Sequence, residues 1–326
     1  MTPSGSSIEN RTFDEIRLAD KNLRYEQLLR AAKRHPPITM AIVHPCQKEA
    51  LEGAVDAARL GLILPCLIGP EAKIQATARE ANIDISAYPL IDVPHSHAAA
   101  ARAVEMARSG QVESLMKGSL HTDEFMREIV AAQGGLRTAR RMSHVFVLDV
   151  PRYPKPLMIT DAAINIQPDV ETKMDIVQNA IELAHALGIA LPKVAILSAI
   201  ETVTPKLRST MDAAALCKMA DRGQITGGIL DGPLAFDNAI SLVAAKTKGI
   251  QSQVAGEADI LVVPDLEAGN MLAKQLEYLA DAQAAGIVLG ARVPIVLTSR
   301  ADSAHSRIAS CAVALLLRRY QQQAAR

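Results

Sequence analysis

Short apolar runs alternate with longer stretches of helical spacing along almost the whole chain. The runs at 38–43, 63–68, 88–93, 112–116, 144–150, 157–160, 194–198, 228–230, 260–263, 287–289 and 295–298 predict strands. Between them, apolar positions recur every three or four residues at 47–60, from 70 onward, and at 98–108, 123–132, 170–187, 210–220, 235–245, 270–280 and 303–317. These predict helices, as does 17–34 ahead of the first strand. Pro70-Glu71 suits a first helical turn. Residues 1–14 are small and polar and predict a loose tail.

Strands alternating with longer helices predict parallel βαβ units. Runs such as Ala195-Ile196-Leu197 and Ile260-Leu261-Val262-Val263 are apolar at consecutive positions, so both sheet faces should be covered. No short repeat suggests a solenoid. A chain of 326 residues predicts two domains. The loop Pro151-Arg152-Tyr153-Pro154-Lys155-Pro156 offers a first estimate of the boundary.

Composition narrows the possibilities. Hydrophobic residues make up 49% but aromatic ones only 3%, with no Trp, so cores must be built from Ala, Val, Ile, Leu and Met. Lys plus Arg and Asp plus Glu both total 35. That balance gives no long-range field for nucleic acid or an anionic membrane, and any anion site must be local. No run reaches the ~20 apolar residues of a membrane span, and the opening residues predict no signal peptide. Cys46, Cys66, Cys217 and Cys311 are scattered among apolar neighbours and read as buried thiols of a reducing cytoplasm, not as disulfides or metal ligands.

Ligands of open parallel sheets bind beyond the carboxyl ends of strands. Five such ends are small and polar: Lys117-Gly118-Ser119, Asp161-Ala162-Ala163-Ile164-Asn165, Asp231-Gly232-Pro233, Pro264-Asp265-Leu266-Glu267-Ala268-Gly269-Asn270, and Thr298-Ser299-Arg300-Ala301-Asp302. One alone is ordinary capping; five together predict a clustered site. In the last, Ser299 offers a hydroxyl, Arg300 a planar pair of donors, and the following helix its free amides. A surface Ser-Arg pair with Asp302 or Ser303 as helix cap reads equally well from pattern. Lys117 suits either a phosphate or a neighbouring acid. Arg127 falls near the same strand ends, with Arg137, Arg140 and Arg141 just beyond. GxGxxG after the first strand, Walker, HExxH and CxxC signatures are absent. His95 and His97 read as helix caps, His121 and His144 as structural, and His305, near the Ser299 turn, as a weak candidate base.

Taken together, MKGSLHTDEFMREIV (116–130), GGLRTARRMSHVFVLD (134–149), ITDAAINIQPDVETKMDIV (159–177), STMDAAALCKMADRGQITGGILDGPLAFDNAIS (209–241), ADILVVPDLEAGNMLAK (258–274) and VPIVLTSRADS (293–303) resemble the phosphate acetyltransferase and phosphate butyryltransferase family. The wording of GLRT, RMSH, MADRGQI, DGPLA and LTSRADS is closer to the butyryl branch. The resemblance implies an α/β fold of two three-layer domains around a deep cleft, like isocitrate and isopropylmalate dehydrogenases. The first domain would be 1–150 plus 297–326, and the second 151–296.

It further implies a homodimer, and with the cysteine reading and the absent metal signatures the expectation is a cytoplasmic protein with no tightly bound cofactor and no metal. Its partners would be small molecules, coenzyme A or acyl-CoA and phosphate, with neither nucleic acid nor membrane. The implied reaction is direct attack of phosphate on a short acyl thioester, acetyl or butyryl, in a ternary complex. Ser299 would lie near the thiol, Arg300 would stabilise developing charge, and Asp302 is the nearest acid. Arg127 and, more loosely, Arg108 would contact phosphate, with Lys117 and Arg137 beside them. Asp265, Asn270 and Thr298 are expected at coenzyme A. Acetyl-branch members carry an Asp seven residues after the serine; here that position is Ser306. The alternatives are a dehydrogenase of the related two-domain fold and a non-catalytic coenzyme A-binding protein.

Overall fold

A computed structural model describes residues 24–299 and 302–324. The expected tail at 1–14, the start of the first predicted helix, and Arg300 lie outside the described residues. Helix α1 covers residues 24–32. The chain then runs β1 (Ile38–Val43), α2 (Lys48–Arg59), β2 (Ile63–Gly69), α3 (Glu71–Glu80), β3 (Leu90–Asp92), α4 (Ser96–Arg108), β4 (Ser114–Lys117), α5 (Thr122–Ile129), β5 (Ser143–Asp149) and β6 (Leu157–Thr160). It continues α6 (Val170–Ala186), β7 (Lys193–Leu197), α7 (Arg208–Asp221), β8 (Ile229–Leu234), α8 (Phe236–Ile240), α9 (Leu242–Thr247), β9 (Ile260–Val262), α10 (Leu266–Leu279), β10 (Gln283–Leu289), β11 (Ile295–Val296) and α11 (Ala304–Ala324).

All the strands join one sheet in the order β3-β2-β1-β4-β11-β10-β5-β6-β9-β7-β8. Its two wings are parallel, as the pattern predicts. Its centre is not. β10 is antiparallel to both β11 and β5, and β5 is antiparallel to β6. Chain length explains two of these three junctions, β5-β6 and β10-β11. The links at 150–156 and 290–294 are shorter than the dozen or so residues that a parallel crossover needs.

Two other readings shift. The expected loop Asp231-Gly232-Pro233 belongs to β8, which continues to Leu234. β8 closes one edge of the sheet, where a missing N–H is tolerated. The strand expected at 287–289 begins at Gln283, its Ala-Ala-Gly stretch hiding it from a β-propensity reading.

The apolar faces of the helices sort onto the two sides of the sheet. One face carries a single cluster that joins Leu29, Leu51, Ile181, Leu216 and the α11 stretch from Ile308 to Leu317. α11 packs along α2, β10, β11 and α6, reaching both halves of the chain. The opposite face carries two clusters. One, under α4 and α5, includes Phe125, Leu120 and Leu297. The other, under α8 to α10, includes Ala162, Leu261 and Ala273. The described surface has no helix long and apolar enough to cross a membrane.

A buried ion pair ties α6 to α7. Lys173 Nζ donates to Asp212 at 2.7 Å, with both side chains almost fully enclosed. Removing Lys173 leaves Asp212 only the exposed Arg208, whose Nε lies 3.7 Å from the same carboxylate oxygen, and breaking a buried pair in this way typically costs about 3–5 kcal/mol. Lys173→Met should therefore lower the free energy of urea unfolding by about that much. The double change Lys173→Met with Asp212→Leu should recover most of it.

Candidate active site

A cavity of about 450 Å³ opens where the second face passes from one apolar cluster to the other. Leu120 and Leu297 come from the first cluster and Ala162 from the second. Its remaining walls include Lys117, His121, His144, Phe146, Asn270, Lys274, Thr298, Ser299 and Asp302. The ladder register explains why distant segments meet here. Thr160 pairs with Val145, Val145 with Ile287, Ile287 with Val296, and Val296 with Met116. The last residues of β6 and β11 thus share a rung with Met116, one residue from the end of β4. The chain beyond each of these three strands opens onto the same space.

The turn after β11 is held from several sides. Ser299 N donates to Asp302 Oδ2 at 2.7 Å, and Asp302 N returns to Ser299 O at 3.2 Å. Asp302 therefore closes the turn. The helix cap is Ser303, whose Oγ accepts from Ser306 N at 3.2 Å. Arg307 Nη1 donates to Thr298 Oγ1 at 2.7 Å, and its Nη2 donates to Ser299 O at 2.9 Å. Burial pushes the Asp302 carboxyl above its ordinary range, against the pull of the Ser299 amide and Lys274.

A buried acid shapes the loop after β6. Asp161 accepts from the amides of His144, Ala163, Ile164 and Asn165 and from Asn165 Nδ2, at 2.6–3.1 Å. Asn270 Nδ2 then donates to Ala162 O at 3.2 Å, fixing α10 against that loop. Lys117 is enclosed and turns its Nζ to the carbonyls of Gly118 and Leu120. A Cβ at Gly118 would lie 2.4 Å from Val43 O, so only glycine lets β4 end this close to β1.

The cavity gathers some of the predicted residues and leaves others out. Ser299, Asp302, Lys117, Asn270 and Thr298 line it. Asp265 does not; its carboxylate caps α10 by accepting from Ala268 N at 2.9 Å. Arg127 is exposed on α5, outside the lining. Arg108 is exposed at the end of α4, its guanidinium near Gly134. Arg137 lines a separate cavity of about 380 Å³ with Arg140 and Arg141. Asp231 and Gly232 sit on the edge strand, away from this space. Ser306 faces Ser303, and His305 stacks on Tyr25 with ring centroids 3.6 Å apart; neither lines the cavity.

Other histidines separate as well. His95 caps α4, accepting from Ala98 N at 3.2 Å, whereas His97 approaches Glu124 at 3.5 Å. His144 lies in the cavity wall with 1% exposure. Burial pushes its pKa down to about 4, helped by Lys274 and opposed by the Leu297 carbonyl, so the ring is neutral. Residue type alone gave no reason to place His144, Phe146, Lys274 or Arg307 at a site. Arg307 did carry one signal, as a lone charge in the otherwise apolar face of a helix. Cys311 is buried and Cys46, Cys66 and Cys217 are half-buried, all as free thiols. Burial pushes each thiol up, Cys217 and Cys311 to about 12. No group of His, Cys, Asp and Glu among the described residues is arranged to hold a metal ion.

Comparison with known proteins identifies the family. The chain is 63% identical over 293 residues to a phosphate acetyltransferase of Rhizobium meliloti, spanning 90% of this chain and 93% of that protein. Its fold superimposes on a branched-chain phosphotransacylase from Enterococcus faecalis V583 with a TM-score of 0.76 and 32% identity, over 86% of this chain and 99% of the other. A 4-hydroxythreonine-4-phosphate dehydrogenase from Burkholderia phymatum shares the fold alone, with a TM-score of 0.54 and 13% identity, over 87% and 98% of the two chains. The family model described as phosphate acetyl/butaryl transferase matches residues 95–315. The chain belongs to the phosphate acetyl/butaryl transferase family.

Proposed function

We propose that this protein is an acyltransferase that moves a short acyl group between coenzyme A and inorganic phosphate through direct attack in the cavity beside Ser299. The observation that carries this reading is the turn Thr298-Ser299, its threonine buried and its serine exposed, held by Asp302 and Arg307 over a cavity that also contains Lys117 and Lys274. Two lysines and a hydroxyl suit a site that must accept an anion and stabilise a second negative charge. A phosphate oxygen attacks the thioester carbonyl carbon, the carbon–sulfur bond breaks, and the thiolate departs. Ser299 is taken to sit beside the leaving sulfur, and Arg300 to meet the charge that develops on the carbonyl oxygen. Phosphate as the dianion is already a nucleophile, so neither Ser306 nor His305 is needed as a base. Arg127, Arg108 and Arg137 are taken as outer phosphate contacts, and Asp265, Asn270 and Thr298 as neighbours of coenzyme A.

The acyl group is taken as acetyl first. The 63%-identical relative bears the acetyl name, although the short motifs read closer to the butyryl branch. The apolar walls Phe146, Leu266 and Leu297 leave longer chains as competing substrates. A methylene or two changes discrimination by only ~1–3 kcal/mol. No tightly bound cofactor enters this scheme. We further read residues 1–150 with 297–326 as one domain and 151–296 as the other, which the 150–156 link and the contact of α11 with α2 support. A homodimer is in keeping with the exposed Met271, Tyr278 and Leu279 on α10. A cytoplasmic location belongs to the same reading.

Purified protein should release coenzyme A from acetyl-CoA only when phosphate is present, as read by thiol appearance. Parallel kinetics with propionyl- and butyryl-CoA should rank the acyl groups. Silence with every short thioester would refute the activity, and coenzyme A binding without turnover would favour a binding protein.

Two substitutions probe the turn. Ser299→Ala and Arg300→Ala should each slow turnover by about 2–4 kcal/mol of barrier, the usual cost of losing a charge-stabilising donor. Either variant turning over at the parent rate removes that residue from the scheme.

A further inference from the structure

Arg307 stands in the first turns of α11, directly behind Ser299. Its side chain is 3% exposed. Two of its nitrogens are committed to the turn, one to Thr298 Oγ1 and one to the Ser299 carbonyl. With the Asp302 contacts, these bonds fix both the amide and the carbonyl of Ser299. The room for Arg307 comes from α2. A Cβ at Gly53 would lie 2.7 Å from Arg307 Cδ and 2.9 Å from its Cβ, so a larger residue there would push the guanidinium off the turn.

The partners of this buried cation are neutral. Among the described residues no carboxylate forms an ion pair with it; Asp302 and Glu49 act on it from a longer range. Its Nε has no hydrogen-bond partner. Burying a guanidinium on neutral oxygens is unfavourable for folding, and a neutral donor of similar shape would hold the turn without that cost. A positive charge kept there at the expense of stability makes sense when negative charge arrives next to it. The cavity in front of Ser299 is where phosphate would enter and the thiolate would form.

We propose that Arg307 is a positioning residue of the transfer reaction: it fixes the Ser299 backbone and holds a buried positive charge behind the turn that is offset when the anionic substrates fill the cavity. This rests on the phosphate acyltransfer reading given above. Arg307 touches neither substrate; it acts through Thr298 and Ser299.

Arg307→Met keeps the aliphatic stem and removes both the charge and the donors. A misplacement of about 1 Å at a reacting group can cost about 100-fold in rate, so kcat should fall by up to roughly that factor. KM for acyl-CoA should stay within about threefold, because uniform binding is not what is lost. Arg307→Lys keeps a charge but only one line of donation and should lose about tenfold in kcat. Guanidinium added to Arg307→Ala should restore part of the rate. Thermal melting and coenzyme A calorimetry report whether each variant is folded.

Folded Met and Lys variants with kcat within about threefold of the parent would overturn the proposal. So would a loss confined to KM. If the Met variant does not fold, the Lys variant decides: parent-like kcat overturns the role and a tenfold loss supports it. An inactive parent protein would instead refute the acyltransfer reading, whereas an active parent with unaffected variants refutes Arg307 alone.

Discussion

A continuous sheet whose two wings run in opposite directions must contain an odd number of antiparallel junctions, and here three of them lie side by side. β11-β10, β10-β5 and β5-β6 are those junctions. Everything about the site depends on them. They place the ends of β6 and β11 on one rung, although the strands point opposite ways. One face of the sheet carries two apolar clusters where the other face has one. The cavity occupies the change from one cluster to the next, walled by β5 side chains and by loops from both halves of the chain.

The wall is built at a cost in polar satisfaction. Asp161 and Arg307 are buried ionisable groups just behind the cavity lining, and each organises a segment of backbone. Asp161 gathers four amides and a side-chain amide, so its loop is fixed by one carboxylate. Arg307 does the same for the turn opposite with fewer partners and no counter-charge in contact. Rigid backbone on both sides of a small cavity is what a direct transfer between two bound substrates requires, since its rate rests on alignment.

Part of this site is legible in the sequence. The loops after β4, β6 and β11 and the start of α10 were marked by small polar residues after buried strands, and they do meet. The loop at 231–233 carried the same signal and belongs to an edge strand, because residue type does not reveal where a strand stands in the order of a sheet. The arginines Arg127, Arg108 and Arg137 looked equivalent to Lys117 on paper. Only Lys117 lines the cavity; the three arginines are exposed outside it. His305 is near Ser299 in sequence and turned away from it in space, since successive helical residues face different sides. His144 reads as a polar interruption of a strand, yet it lies in the wall.

The amino-acid pattern by itself determined the α/β class, the number and approximate bounds of the strands, and the covering of both sheet faces. Those properties follow from local periodicity, which one sequence contains in full. The matched motifs extended that to the family. Tertiary structure alone decided the strand order, the antiparallel centre, the split of one apolar face, and which charged side chains enter the cavity. These depend on pairings between residues far apart in the chain. Thr160 shares a rung with Val296, and Arg307 is seated against Gly53 of a distant helix. No local window of sequence encodes such contacts, because their energies exist only once both partners have been brought together.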